Sequence, residues 1–248
     1  MSRFKLAALL MASIVGALIP NPSYSQSPGQ TAARHRMSLL APDDGQPSDL
    51  RIALKGEPRR IDSLQVLWDQ RIPGSLYPAT ESQNFGDPLL NIYDSIGAND
   101  FAVPVGQTWI IHGVITPGVD DRPQDPSATE NVRFYADDGQ GFPGVLVKAY
   151  TRVQATDTQD GFTFLHLDTG LVLPAGTYWL SVQANGGGSD YYSSWFWSRG
   201  SQLVGAEAVW KNPGDGWQTG CTSWGRLDAC SGVFGWPEWQ FALAGEVQ

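Results

Sequence analysis

From Leu64 onward, the chain consists of short runs of β-branched, aromatic and other apolar residues that Gly, Pro, Asn and Asp repeatedly interrupt. Runs of this length with two-residue alternation are typical of β-strands, and no long helix is predicted. The predicted strands cover residues 64–68, 100–103, 107–116, 131–136, 145–153, 162–167, 177–184, 194–197, 206–211 and 239–244. About ten short strands in one region predict an all-β domain, an antiparallel two-layer β-sandwich.

Apolar residues alternate with mostly polar ones along three of these runs. Because successive side chains of a strand point to opposite faces, we expect one face in the core and the other in solvent. The predicted core positions are Val132, Phe134, Tyr178, Leu180, Val182, Ala184, Trp239, Phe241 and Leu243, and the predicted outer positions are Arg133, Tyr135, Trp179, Ser181, Gln183, Glu238, Gln240 and Ala242.

A short pattern occurs twice, as VPVGQTW at residues 103–109 and LPAGTYW at residues 173–179. Proline at the second position of a type I turn presets φ, and glycine at the fourth position relieves the exit. Each copy therefore predicts a strand, a turn and a second strand.

The N-terminal part of the chain differs in composition. Arg3 and Lys5 precede an apolar run at residues 6–19, and small residues follow, which predicts a signal peptide and export to the periplasm or the extracellular space. The next part is rich in Pro, Gly, Ser and Gln without a sustained period. The predicted organisation is a signal peptide (1–25), a flexible leader (26–63) and a β-sandwich domain (64–248), with no membrane span in the mature chain.

The charge balance disfavours nucleic acid as a partner. Without the signal peptide, 16 − 2 = 14 basic residues face 25 acidic ones, a net charge of 14 − 25 = −11. From Leu64 onward the chain has 8 basic and 20 acidic residues, and no basic cluster appears in the sequence. A nucleic-acid binder needs a cationic footprint on the phosphates, and an anionic membrane surface makes a similar demand.

Cys221 and Cys230 are the only cysteines. In an exported chain they predict one disulfide, which stabilises the fold by about 2 to 3 kcal/mol on the chain-entropy model. Without paired histidines nearby, they do not predict a zinc site.

The sequence contains little that predicts catalysis. Of three histidines, His112 and His166 lie in predicted strands, and no nucleophile motif is present. Carboxylate pairs that could hydrolyse glycosidic bonds stand in predicted turns, where aspartate accepts backbone hydrogen bonds. These pairs are Asp120 with Asp121, Asp137 with Asp138, and Asp157 with Asp160.

Calcium is a better use for loop aspartates, because it takes six to eight oxygen ligands. Asp94, Asn99 and Asp100 form one candidate cluster, and Asp137 with Asp138 forms another. No EF-hand spacing accompanies them. A structural calcium ion is the one cofactor that the sequence suggests.

Ten tryptophans are present, most of them near the C-terminus. Trp195 and Trp197 share one face of a predicted strand, while Trp217 and Trp224 lie in a Gly-rich segment with the cysteines. An indole can stack on the C–H face of a sugar and donate its N–H, so these four residues are the candidate ligand-binding residues. The alternative is that the rings fill the core.

Five segments resemble a type of domain found in secreted bacterial proteins. They are ANDFAVPVGQTW at 98–109, VRFYADDG at 132–139, FPG at 142–144, GTYWLSV at 176–182 and GCTSWG at 220–225. Such domains look like jelly-roll sandwiches akin to carbohydrate-binding modules, and they have no established activity. The resemblance implies a jelly-roll fold and carries over no catalytic residue.

These observations favour a secreted, non-catalytic β-sandwich that binds a glycan or another cell-surface component through its aromatic residues. The first alternative is a structural extracellular or matrix domain whose aromatic residues are all in the core. The second is an extracellular hydrolase that uses dispersed carboxylates.

Overall fold

The computed structural model describes residues 64–72, 78–120, 129–157, 162–186 and 194–248. The predicted signal peptide and leader lie outside these residues, as do the side chains of Asp120, Asp121, Asp157 and Asp160. The described residues form twelve strands, a 3-10 helix at Asn91–Tyr93 and one short α-helix, α1 at Leu227–Ser231. The strands are β1 (Gln65–Asp69), β2 (Ala79–Glu81), β3 (Gln83–Asn84), β4 (Ile96–Asp120), β5 (Thr129–Asp137), β6 (Pro143–Asp157), β7 (Phe162–Asn185), β8 (Trp195–Gly200), β9 (Val209–Lys211), β10 (Gly225–Arg226), β11 (Glu238–Trp239) and β12 (Ala242–Val247).

The strands form one hydrogen-bonded sheet, almost entirely antiparallel, that folds into two layers. The first layer contains β5, β9 and β10 with residues 143–154 of β6, 176–185 of β7 and 96–103 of β4. The second layer contains β1 and β12 with residues 155–157 of β6, 162–174 of β7 and 108–117 of β4. The end of β4 pairs with β8, which also pairs with β2 and β11. The predicted all-β, sandwich-like fold is confirmed.

The long strand β4 passes from one layer to the other by doubling back at residues 104–107. The rings of Phe101 and Trp109 are stacked, with centroids 6.4 Å apart, whereas a fully extended strand would separate these residues by about 26 Å. The two copies of the repeated sequence pattern face each other at this corner, because Val103 pairs with Gly176 and the ladder resumes beyond the bend. The two copies therefore bend β4 and β7 at the same place, and the two strands stay paired on both sides of the bend.

The core between the layers contains side chains from both inner faces. Phe101 contacts the rings of Phe134 in its own layer and Phe241 in the opposite layer, with centroids 6.2 Å and 6.3 Å away. On β5, Val132 and Phe134 are buried while Arg133 is partly exposed, so the predicted alternation of this strand is confirmed.

The outer positions predicted on β7, β11 and β12 are buried, contrary to expectation. Trp179, Ser181 and Gln183 of β7 are at most 4% exposed, and Glu238 and Gln240 are each 1% exposed. Additional chain covers the face that carries Trp179: Tyr135, Phe142, Ala206 and Trp224 pack over the buried residues Ala98, Trp179 and Val209 on the outside of the first layer.

Arg199 of β8 is fully buried and holds the segment that follows α1. Its guanidinium donates to the carbonyl oxygens of Val233 and Trp236 at 2.9 Å and 2.6 Å, and it forms an ion pair with Asp228. The Ser231 hydroxyl accepts a further hydrogen bond at 2.7 Å. One side chain thus orders the connection from α1 to β11.

Among the residues that the structure describes, no helix has the length and apolar character needed to cross a membrane.

Candidate functional site

Trp195 and Trp197 are core residues, which corrects their assignment as ligand-binding candidates. They are 1% and 0% exposed. Trp197 stacks on Trp239 with centroids 5.0 Å apart, and its Nε1 donates to the carbonyl of Gln240 at 2.7 Å. Both rings belong to the main hydrophobic core cluster, so neither has a face in solvent. They could not stack on a sugar in this fold.

Trp217 is partly exposed, but its ring is fixed by internal contacts. Its Nε1 donates to the carbonyl of Tyr93 at 2.9 Å, and the two rings meet edge to face with centroids 5.1 Å apart. The Asn212 side chain accepts the backbone N–H of Trp217. These contacts hold the 212–217 loop against the 3-10 helix, which is a structural role.

Trp224 is the one predicted ligand-binding residue with a ring on a partly open sheet face. It immediately precedes β10, whose residue Arg226 pairs with Val209, so Trp224 comes next to Lys211 of β9. Seven of the other tryptophans donate their indole N–H to a protein acceptor. The Trp224 N–H has no such acceptor among the described residues.

The surroundings of Trp224 combine one more aromatic ring with two cations. Tyr135 of β5 meets the indole edge to face, with centroids 6.2 Å apart and planes at 81°. The Lys211 ammonium lies 4.1 Å from the centroid of the indole. Arg133 projects from the same face of β5 as Tyr135 and donates to the Gln183 side chain at 3.1 Å. We call Arg133, Tyr135, Lys211 and Trp224 the Trp224 face.

A second cation–aromatic pair borders the Trp224 face. The Arg226 guanidinium carbon lies 4.1 Å from the ring centroid of Phe142. The same side chain donates to the carbonyls of Gly141 and Glu207, at 3.0 Å and 2.7 Å. Arg226 therefore ties the 138–142 turn to the 206–208 segment and supports the rim of the face.

The predicted disulfide between Cys221 and Cys230 is confirmed, with Cα atoms 5.8 Å apart. It closes the segment that carries Trp224. A Cβ atom on Gly225 would lie 2.5 Å from the Cys230 sulfur, so only glycine fits beside Trp224. The cross-link and this tight packing hold Trp224 on a fixed backbone, as is usual for binding residues on rigid loops.

Each candidate calcium ligand has at least one oxygen engaged within the protein. Asp94 accepts the Phe85 N–H at 2.8 Å, and Asn99 Oδ1 accepts the Asp100 N–H at 3.1 Å. Asp137 and Asp138 accept backbone N–H groups of their own turn, each at 2.7 Å. Across the described part of the chain, no three His, Cys, Asp or Glu side chains gather to hold a metal ion. The described residues therefore do not identify a calcium site, and calcium binding stays a prediction.

The structure also reveals a buried pair of acids that sequence reasoning had not linked. Glu238 accepts a hydrogen bond from Asn99 and a longer one, 3.4 Å, from the Val204 N–H. Asp100 Oδ2 accepts the Ala206 N–H at 3.1 Å, while its buried Oδ1 has no hydrogen-bond partner within the described residues. One short segment, 204–206, thus covers both carboxyl groups. No local pattern indicates this pairing, because the two residues are far apart in the chain.

Burial changes the protonation of this acid pair. It raises the pKa of Glu238 to about 8, and the negative charge of Asp100 adds to that effect. It raises the pKa of Asp100 to about 6, against the opposing hydrogen bond from Ala206. At neutral pH, Glu238 is therefore mainly protonated in the folded protein.

The two described histidines form no catalytic arrangement with these acids. His112 is on β4 in the second layer, with Nε2 3.9 Å from the carboxylate of Glu246. His166 is partly exposed on β7 and pairs with Gly113 of β4. Neither histidine is in the layer segments that carry the Trp224 face.

Compared with protein-family models, curated proteins and solved structures, the chain matches none of them. The resemblance to jelly-roll domains akin to carbohydrate-binding modules therefore stays a prediction.

Proposed function

We propose that this protein is a secreted, non-catalytic β-sandwich that binds a glycan, and that the Trp224 face is its binding surface. The observation that carries the proposal is the pair Trp224 and Tyr135. The two rings stand edge to face on the outside of the first layer, and the indole N–H is not used by the described residues.

A bound sugar needs both an apolar surface and hydrogen-bonding groups. A pyranose ring has an apolar C–H face that packs on an aromatic plane, and hydroxyl groups that need donors and acceptors around it. Trp224 supplies a ring and an indole N–H that no described residue accepts, Tyr135 supplies a second ring with a hydroxyl group, and a disulfide-closed segment holds the indole in place. Little conformational entropy is then lost on binding.

Fluorescence titration with soluble oligosaccharides tests the proposal, using the protein purified after export. A saturable change with one glycan class is expected, and Trp224→Ala should weaken binding by at least about tenfold, equivalent to about 1.4 kcal/mol. Phe234→Ala is the matched control, because Phe234 is 74% exposed on a different loop and is outside the face. Unchanged affinity in Trp224→Ala, with a folded protein, would refute the assignment of the site.

The alternative of a structural domain is favoured by one specific observation. Trp179, Trp195, Trp197, Trp210 and Trp239 are each at most 1% exposed. A protein whose aromatic residues act only in packing would show no saturable response to any glycan. The last alternative is a hydrolase, and in its one described acid pair Asp137 and Asp138 accept backbone hydrogen bonds of their own turn.

A further inference from the structure

The Trp224 face concentrates positive charge on a protein with a formal net charge of −9. Lys211 comes from β9 and Arg133 from β5, with β4 and β7 between these strands. Burial lowers the pKa of Lys211, and the positive charge of Arg133 lowers it further. The two cations therefore act on each other across the face.

Neither cation has a carboxylate partner in the described ranges. The ion pairs found there are Arg71 with Asp69, His112 with Glu246, and Arg199 with Asp228. Asp137 is the acidic residue on the same face of β5 as Arg133, and its carboxylate accepts the indole N–H of Trp179 at 2.8 Å. Two like charges are thus held near each other without a counter-ion from the described residues, and an anionic ligand would relieve their repulsion.

Lys211 and Arg133 are also held close to the rings of Trp224 and Tyr135, where a ligand would bind. The Lys211 ammonium is held over the indole, 4.1 Å from the ring centroid, so a sugar that contacts Trp224 comes within reach of this cation. Arg133 is held by its hydrogen bond to Gln183. A sugar ring on Trp224 and Tyr135 would therefore carry its substituents close to two fixed cations.

We propose that the Trp224 face binds acidic glycans, in which carboxylate or sulfate groups pair with Lys211 and Arg133 while the sugar ring packs on Trp224 and Tyr135. This inference rests on the proposed glycan-binding function and adds the chemical class of the ligand. Nucleic acid is a poorer fit, because the face provides two cations and the chain from Leu64 onward is strongly acidic.

The test compares glycans that share a backbone and differ in charge. Polygalacturonate is titrated against its methyl-esterified form, and heparin against its desulfated form, at low and at high salt. We expect the acidic member of at least one pair to bind roughly twentyfold more tightly, since each cation contributes about fivefold. The preference should shrink at high salt, because salt screens partly exposed charges.

Variants then locate the charge effect. Lys211→Met and Arg133→Gln should each weaken binding of the acidic glycan by about fivefold, and Lys211→Arg should restore most of the loss. Lys148→Met is the matched control, because Lys148 also lies over an aromatic ring, 5.4 Å from the centroid of Tyr150, on a strand outside the face. Circular dichroism checks that each variant is folded. If Lys211→Met does not fold, Arg133→Gln alone tests the charge effect.

The outcomes are distinguishable. Tighter binding of the acidic glycan that depends on Lys211 or Arg133 supports the inference. Equal affinity for the charged and uncharged forms, or a preference that neither substitution changes, overturns it and leaves glycan binding standing. Failure of every glycan to bind overturns both proposals. Equally tight binding of a single-stranded oligonucleotide or an acidic peptide would show that the face recognises charge alone and would also overturn the inference.

Discussion

Replacing Glu238 by glutamine should remove much of the protein's loss of stability between pH 5 and pH 7. Glu238 is 1% exposed and has its pKa raised from 4.5 to about 8. In this range the folded protein keeps a proton on Glu238 that the unfolded chain has already released. Because the folded state binds more protons, stability is fully present below the unfolded pKa and falls as pH rises toward the folded pKa.

The size of the stability change follows from the gap between the unfolded and folded pKa values of Glu238. One pKa unit corresponds to about 1.36 kcal/mol, so the wild-type free energy of unfolding should fall by about 2 to 3 kcal/mol between pH 5 and pH 7 through Glu238 alone. Glutamine resembles the protonated acid and does not titrate. Its amide can still accept the hydrogen bond that Asn99 donates to Glu238. The variant should therefore lack this part of the decline.

Urea unfolding at a series of pH values from 4 to 9 measures the effect. The quantity compared is the change in unfolding free energy with pH in Glu238→Gln and in wild type. Glu246→Gln removes one formal negative charge from an exposed glutamate of β12 and serves as the control. Parallel curves for wild type and Glu238→Gln between pH 5 and pH 8 would refute the reasoning, because Glu238 would then be ionised in the folded protein.

Three further substitutions, with Gly200→Ala as a control, test the packing of the fold. Cys221→Ser opens a short loop and should cost about 2 to 3 kcal/mol on the chain-entropy model, measured as a lower urea midpoint that reducing agent reproduces in wild type. Arg199→Met leaves the buried side of Asp228 without its cation and should cost about 3 to 5 kcal/mol; a loss below 1 kcal/mol would show that the guanidinium does not organise this segment. Gly97→Ala should cost about 1 to 3 kcal/mol, because its Cβ would lie 2.7 Å from a buried indole. Gly200→Ala, whose Cβ would meet its nearest neighbour at 3.4 Å, should be tolerated.

Several features could be predicted because they depend on residues close together in the chain. Alternation along β5 separates the buried Val132 and Phe134 from the partly exposed Arg133, as the structure confirms. The disulfide links Cys221 and Cys230, which are only nine positions apart. In both cases, residues within one short segment determine the structural feature that was predicted.

The interpretation of the tryptophans was partly wrong for a different reason. Alternation shows which side chains share a face, so it placed Trp195 and Trp197 together, but it does not show whether a second element covers that face. The rings are buried because this face of β8 packs into the main hydrophobic core cluster. The buried outer positions of β7, such as Trp179, have the same explanation.

The sequence alone determined the all-β class and the cysteine pair, because these follow from local periodicity, turn chemistry and short-range covalent reach. Only the tertiary structure decided which aromatic ring lies on an open face and which charges surround it. Lys211 and Arg133 face each other, and Asp100 lies near Glu238, through strand pairings between distant segments. The composition gives the number of such residues, but only the pairing of the strands determines which of them lie close together.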